Sequence, residues 1–276
     1  MAKDAHLLVP VDGKVHLDKI DPKETHGLSE ARAKTALIRD VQALSELHDL
    51  LYANGKRALL IVLQGMDSAG KDGTIRHVMQ GLSPQGTVVS PFKQPTEQEL
   101  AHDFLWRVHQ RVPAKGAIGI FNRSHYEDVL VVRVHHLISD QVAKERLRAI
   151  RHFERELDEA GVIVRKFFLH LSREEQAKRF EERRQDRRKN WKMSAADFQE
   201  TKLWDHYQRA YEEAIEATST KDCPWYVVPS DHRWYRNLLV AKVLVHTLKE
   251  LKMDWPLPAE DAVLAAKASP GAGQGG

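Results

Sequence analysis

The segment Gly65-Met66-Asp67-Ser68-Ala69-Gly70-Lys71-Asp72-Gly73-Thr74 has the residue types and spacing of a phosphate cradle. Its glycines let backbone N–H groups converge on phosphate oxygens, and the helix it opens adds partial positive charge. Lys71 is spaced to reach a transferring phosphoryl group. Two positions depart from the common form of such a loop. Asp72 stands where Ser or Thr usually serves magnesium, and Asp67 puts a carboxylate inside a loop built for anions. A carboxylate beside phosphate is repulsive unless a divalent cation sits between them, so Asp67 is the first candidate metal ligand. Asp72 either shares that task or is a first-turn acid favoured by the helix dipole.

A second cluster, Phe121-Asn122-Arg123-Ser124-His125-Tyr126-Glu127-Asp128, follows an apolar run. In phosphate-loop enzymes the strand beside the loop strand normally ends in a magnesium-holding Asp. Here neutral Asn122 takes that place, which again throws the metal's charge balance onto Asp67. Arg123 is placed to neutralise a phosphate. His125 reads as a packing or hydrogen-bonding residue, because transfer between phosphates needs little proton removal.

The third cluster is KRFEERRQDRRKNWK, Lys178 to Lys192, with eight basic residues against three acids. Such a run is either a solvated helix face or a contact for a polyanion. Following the fourth strand of a phosphate-loop fold, it is expected to be a lid that brings arginines over the site and excludes water.

These clusters need a scaffold. Ala58–Leu63 is a continuous apolar run suited to a parallel strand covered on both faces. Further strands are predicted at 87–90, 117–121, 162–169 and 225–228. Helices are predicted from Ser29 to Asn54, from Gly70 to about Gly81, from a Thr96/Glu99 capping box to about Arg111, from Ser139 to Ala160 and from about Trp234 to Leu251. Basic helices fill the region between Ser172 and about Ala217. The alternation predicts an α/β fold, a phosphate-loop-kinase-like three-layer sandwich with a parallel sheet and a helical lid. Residues 1–28 read as an irregular N-terminal arm, 29–256 as the kinase domain with its lid at about 178–200, and 257–276 as a low-complexity tail expected to be disordered.

At 276 residues the chain suits one large α/β domain or a core with a mobile subdomain. Its one cysteine, Cys223, cannot form an intramolecular disulfide. The start is too polar for a signal peptide, and no apolar stretch approaches the ~20 residues of a membrane span. A soluble, cytoplasmic protein is expected.

Taken together, GMDSAGKDGT, FNRSHYEDVLVVRV, RFEERRQDRRKNWKMS and the late PWYVV run resemble the polyphosphate kinase 2 family from about Leu50 to Leu251. EDVLVVRV and the preceding PTEQELAHDFLWRVHQRVP look most like its class III branch. The resemblance implies magnesium-dependent transfer of the terminal phosphoryl group of inorganic polyphosphate to AMP and ADP, with manganese as a substitute metal. Asp67, Lys71, Arg123 and Arg183 fall on its catalytic positions. Gly65, Met66, Ser68, Ala69, Gly70, Asp72, Gly73, Thr74, Asn122, Glu127 and Arg133 fall on its nucleotide-binding positions. Lys71, Arg183, Lys189 and Lys192 fall on its polyphosphate-facing positions. Glu127 stands where ADP-only members tend to have Asn, and is implicated in accepting AMP. The usual lid Asp-Pro is here Asp186-Arg187, which takes away the proline that fixes the local bend and adds a positive charge. Trp106, Trp191, Trp204 and Tyr207 are candidates for a base pocket or for core.

The partners implied are polyphosphate and adenine nucleotides, with no nucleic acid and no membrane, in a homodimer or homotetramer. Two other readings share these features: an ATP-dependent nucleoside monophosphate kinase, and a nucleic-acid-binding module with a nucleotide switch.

Overall fold

A computed structural model describes residues 13–188, 190–192 (of Lys192 the backbone alone) and 200–258. Residues 1–12, Lys189, 193–199 and the tail 259–276 lie outside the described residues.

Strand β1 (Ala58–Gln64) is buried along its whole length and is the centre of the molecule. Because side chains alternate across a sheet, Ala58, Leu60 and Val62 enter one core while Leu59, Ile61 and Leu63 enter the other. Each of the Leu, Ile and Val side chains contributes about 1.5–3 kcal/mol relative to exposure, so both faces must be covered. Strands β2 (Thr87–Pro91), β3 (Ile118–Asn122), β4 (Val162–His170) and β5 (Trp225–Pro229) complete a sheet ordered β2-β3-β1-β4-β5. Every pairing is parallel. Helix α1 (Glu30–Asn54) and a C-terminal helix (Arg233–Glu250) supply one covering layer. A long helix at Asp140–Glu159 and another at Trp204–Thr218 supply the other. The three-layer sandwich expected from the alternation is therefore present.

Among the described residues the remaining α-helical segments given bounds are α2 (Lys71–Val78), α3 (Glu97–Leu100), α4 (Trp106–His109), α5 (Val131–Val134) and α7 (Arg173–Gln185). In chain order the long helix 140–159 is α6, 204–218 is α8 and 233–250 is α9. Residues 13–28 carry a 3-10 turn at Leu17–Lys19 and dock on α8, where Glu216 and Glu212 accept the Val15 and Leu17 amides.

Predicted elements agree to within a few residues, with one break. The Thr96/Glu99 capping box forms on both sides, but the helix it opens ends at Leu100. Asp103 then accepts the Leu105 amide two residues on, a local turn that competes with helix propagation and resets the chain before α4. Ser29 sits at the N-cap of α1 but its hydroxyl makes no cap bond. Among the described residues no helix is long and apolar enough to cross a membrane.

Candidate active site

The phosphate loop connects the carboxyl end of β1 to the first turn of α2, at the crevice where open parallel sheets bind ligands. Its shape demands glycine at both ends. Gly65 has φ +151°, and a Cβ there would lie 2.8 Å from the Leu169 carbonyl. Gly70 has φ +107°, and a Cβ there would lie 1.9 Å from the Arg236 guanidinium.

The four residues with predicted catalytic roles meet at this loop. Lys71 is buried and folds back, donating to the Gly65 carbonyl at 2.6 Å and the Met66 carbonyl at 3.3 Å. Burial and the neighbouring Arg123 guanidinium lower its ammonium below the ordinary value. An incoming phosphate would supply the counter-charge. Arg123, just past β3, donates to Asp67 Oδ1 at 2.9 Å across a partly exposed pair. Arg183 of α7 donates to the Ser68 hydroxyl at 2.9 Å.

Other predicted residues are placed less uniformly. The Asn122 amide donates to Asp72 Oδ1 at 2.8 Å, which ties β3 to the first turn of α2. Glu127 is half-buried and faces the same space as Arg123. Burial raises its carboxyl above the ordinary carboxylate range, although Arg123 and Lys71 pull the other way. Arg133 is bonded to Asp140 at 2.8 Å and Glu213 at 2.6 Å, and its side chain is not among those lining the cavity beside the loop. Lys189 and the Lys192 side chain lie outside the described residues. Of the aromatic candidates only Tyr207 faces the cavity. Trp204 is core, Trp106 stacks on His102, and Trp191 is exposed to solvent.

The basic run divides by helix face. Arg179, expected to face an anion, is instead buried against backbone. It donates to the carbonyls of Ser68, Ala69, Ser230 and Asp231 at 2.7–3.1 Å. Arg184 and Arg188 pair on the surface with Glu181 and Asp186. Two further residues hold the loop and had not been singled out. Gln176 donates to the Asp67 carbonyl at 2.9 Å, and buried Arg236 donates to the Ala69 carbonyl at 2.9 Å. Burial, with Arg179 and Arg233 close by, pushes Arg236 down to about 9.

Beside the loop opens a cavity of about 1080 Å³. Gly65, Met66, Asp67, Arg123 and Glu127 form its polar end, and Phe92, Phe104, Val131, Ile138 and Tyr211 line its apolar walls. Its volume reaches the upper range for small-molecule sites and accommodates a nucleotide. Arg107 and Arg146 brace one wall, the first 2.9 Å from the Asp128 carboxylate and the second donating to the Asp128 carbonyl.

Residues 27–256 match the family model Polyphosphate kinase 2. The chain is 51% identical over 252 residues to the AMP/ADP-polyphosphate phosphotransferase of Meiothermus ruber, covering 91% of this chain and 94% of that one. It is 47% identical to the ADP-polyphosphate phosphotransferase of Rhodopseudomonas palustris, covering 78% and 79% of the two chains. The crystal structure of polyphosphate kinase 2 from Arthrobacter aurescens superposes with a TM-score of 0.89 at 39% identity, over 95% of this chain and 96% of that one. A family model spanning most of the chain, relatives matched over most of their length and a fold in register with a solved member agree, and the chain belongs to the polyphosphate kinase 2 family.

Proposed function

We propose that this enzyme transfers the terminal phosphoryl group of inorganic polyphosphate to AMP, forming ADP, and to ADP, forming ATP, and that it runs in both directions. The observation that carries this reading is the meeting of Lys71, Arg123 and Arg183 on one phosphate loop at the polar end of a nucleotide-sized cavity. The acceptor's nucleoside lies in the apolar part of the cavity and its phosphates lie against the loop and Arg123. Polyphosphate reaches the loop along the lid and meets Arg183 there; Lys189 and Lys192 are assigned to it on the family resemblance alone.

The residues at the loop suit a magnesium ion. Asp67 and Asp72 are hard carboxylate donors, and among the described residues no cluster of three candidate ligands forms a closed cage at the loop. Magnesium favours one or two carboxylates, with water and substrate phosphates filling the remaining positions. Manganese shares that oxygen preference. Asp67, with Asp72, would hold the ion, whose charge would offset the repulsion between the phosphates. The protein's own contribution is positioning and charge. Lys71 and Arg123 neutralise the transferring group, Arg183 closes over it, and Gln176 and Arg179 keep the loop from yielding. The active assembly is a homodimer or homotetramer.

Nucleotide formation from AMP, polyphosphate and magnesium, with ADP in parallel, tests the reading. ADP followed by ATP from AMP supports both acceptors. ATP from ADP alone removes AMP as an acceptor. Transfer from ATP to a nucleoside monophosphate, with none from polyphosphate, would replace the reading with an ordinary monophosphate kinase.

A further inference from the structure

A lysine occupies a core position of the sheet. Residues Val162, Val164 and Phe168 of β4 point into the layer under α6 and α8, and Lys166 shares their parity and is fully buried. Its ammonium donates to Glu154 Oε2 at 2.5 Å, to the Thr218 carbonyl at 2.7 Å and to the Tyr126 hydroxyl at 3.2 Å. Glu154, equally buried on α6, also accepts the Tyr126 hydroxyl at 2.8 Å and lies 3.2 Å from His125 Nε2. Burial works against its charge, yet Lys166 and the His125 hydrogen bond hold its carboxyl below the ordinary range. Gln64, at the end of β1, adds a third tie by donating to the Ser124 hydroxyl at 3.0 Å.

A buried ion pair is a poor source of stability, since its desolvation commonly cancels its attraction and an apolar pair of equal volume folds as well or better. This pair grips His125 and Tyr126, which lie in the chain between Arg123 and Glu127. Arg123 itself has φ +61°, a left-handed conformation that a non-glycine residue keeps only when its surroundings over-determine it.

We propose that Lys166 and Glu154 are positioning residues for phosphoryl transfer: through Tyr126 and His125 they hold the 123–127 segment so that Arg123 and Glu127 face the cavity in working geometry. The proposal rests on the functional reading above, in which Arg123 meets the transferring phosphate.

The test is the paired substitution Lys166→Met with Glu154→Leu, which leaves no lone buried charge, assayed with ADP and polyphosphate. Losing the buried pair is close to neutral in itself, so the urea midpoint should fall only by what the Thr218 carbonyl and His125, left without these partners, cost. The kcat should fall by about tenfold or more, since misplacement on the ångström scale is enough for such losses, while the KM for ADP changes by less than about threefold. A folded paired variant with kcat within about twofold of wild type would overturn the proposal. Tyr126→Phe removes one tie and keeps the ion pair, so it reports even where the paired variant does not fold; a wild-type kcat there also overturns it. Arg123→Ala separates the two claims. If Arg123→Ala retains full activity, the functional reading fails. If it is impaired, the paired substitution in that background should cost much less than it does in the wild type, and an undiminished additional loss would show that the buried pair acts elsewhere.

Discussion

The Arg123 guanidinium donates to Asp67 Oδ1 at 2.9 Å, so each of two residues assigned to the substrates is held by the other in the free enzyme. One was assigned to the metal and the other to a phosphate. The side chains are 43% and 32% exposed, so solvent screens the pair and its net worth is below about 1 kcal/mol. Asp67→Asn should therefore leave the thermal midpoint within a degree or two while lowering kcat by about 10²–10³-fold or more. Chelating divalent ions should give the same loss in the wild type. Unimpaired turnover by Asp67→Asn, followed by nucleotide chromatography, would remove Asp67 from the metal site.

Arg179 gives a contrasting prediction. Its guanidinium serves the carbonyls of Ser68 and Ala69 on one side and of Ser230 and Asp231 on the other, the last three bonds buried and the first partly so. Arg179→Met leaves those acceptors without a donor, at about 1–3 kcal/mol for each that neither water nor relaxation rescues. A total destabilisation of about 3–5 kcal/mol is expected by urea denaturation. A stable, fully folded Arg179→Met enzyme with low activity would instead place Arg179 on the substrate.

The two faces of α7 explain why this role was hard to read. Gln176, Arg179 and Arg183 fall three and four residues apart, one stripe of the helix, and that stripe meets the loop. Arg184 stands off that stripe, Arg188 lies past the end of the helix, and both pair in solvent. Charge counting over Lys178–Lys192 merges these populations, whereas helical spacing would have divided them. By contrast Gly65, Lys71 and the 58–63 apolar run are local signals, legible because loop, strand and helix follow without interruption. The cavity walls were not legible. Phe92, Phe104, Ile138 and Tyr211 come from four separate segments and meet only once the sheet is assembled. Arg133 fell on a recurrent position, yet its two carboxylate partners come from α6 and α8 and could not be inferred from its neighbours in sequence.

Glu127 links stability to pH with a definite sign. Its folded-state carboxyl is raised above the ordinary 4.5 by burial, so the folded state binds the proton more tightly than the unfolded one. Stability is therefore lost as pH climbs from about 4.5 through the raised value, and the deficit persists above it. Glu127→Gln carries no such deficit. Its midpoint should match the wild type near pH 4 and exceed it at neutral pH, in scanning calorimetry of the nucleotide-free protein. The companion Glu127→Asn should lower kcat/KM for AMP by about tenfold while that for ADP changes by less than about threefold, an effect of pocket chemistry rather than of folding. Equal losses with both acceptors would argue against a role in choosing AMP.

The lid prediction joins one arginine to the polymeric nature of the donor. Arg183 stands over the loop, 2.9 Å from the Ser68 hydroxyl, and its guanidinium also lies 5.5 Å from the Phe180 ring centre. Placed over that ring, its planar fork offers phosphate a bidentate contact, a geometry that an ammonium cannot reproduce. Arg183→Ala should lower kcat by about 10²-fold, and Arg183→Lys should recover little of it. Polyphosphate also carries condensed counterions that are released as lid cations engage it. The apparent affinity for long chains should then fall linearly with salt on logarithmic axes, by a slope of roughly 0.7 for each phosphate neutralised, as for single-stranded nucleic acids. AMP engages far fewer phosphates and should show a much shallower dependence. Removing Arg183 should reduce the polyphosphate slope by about one such increment and leave the AMP slope unchanged. If long-chain polyphosphate binding by the wild type does not vary with salt, the lid is not the path of the polymer.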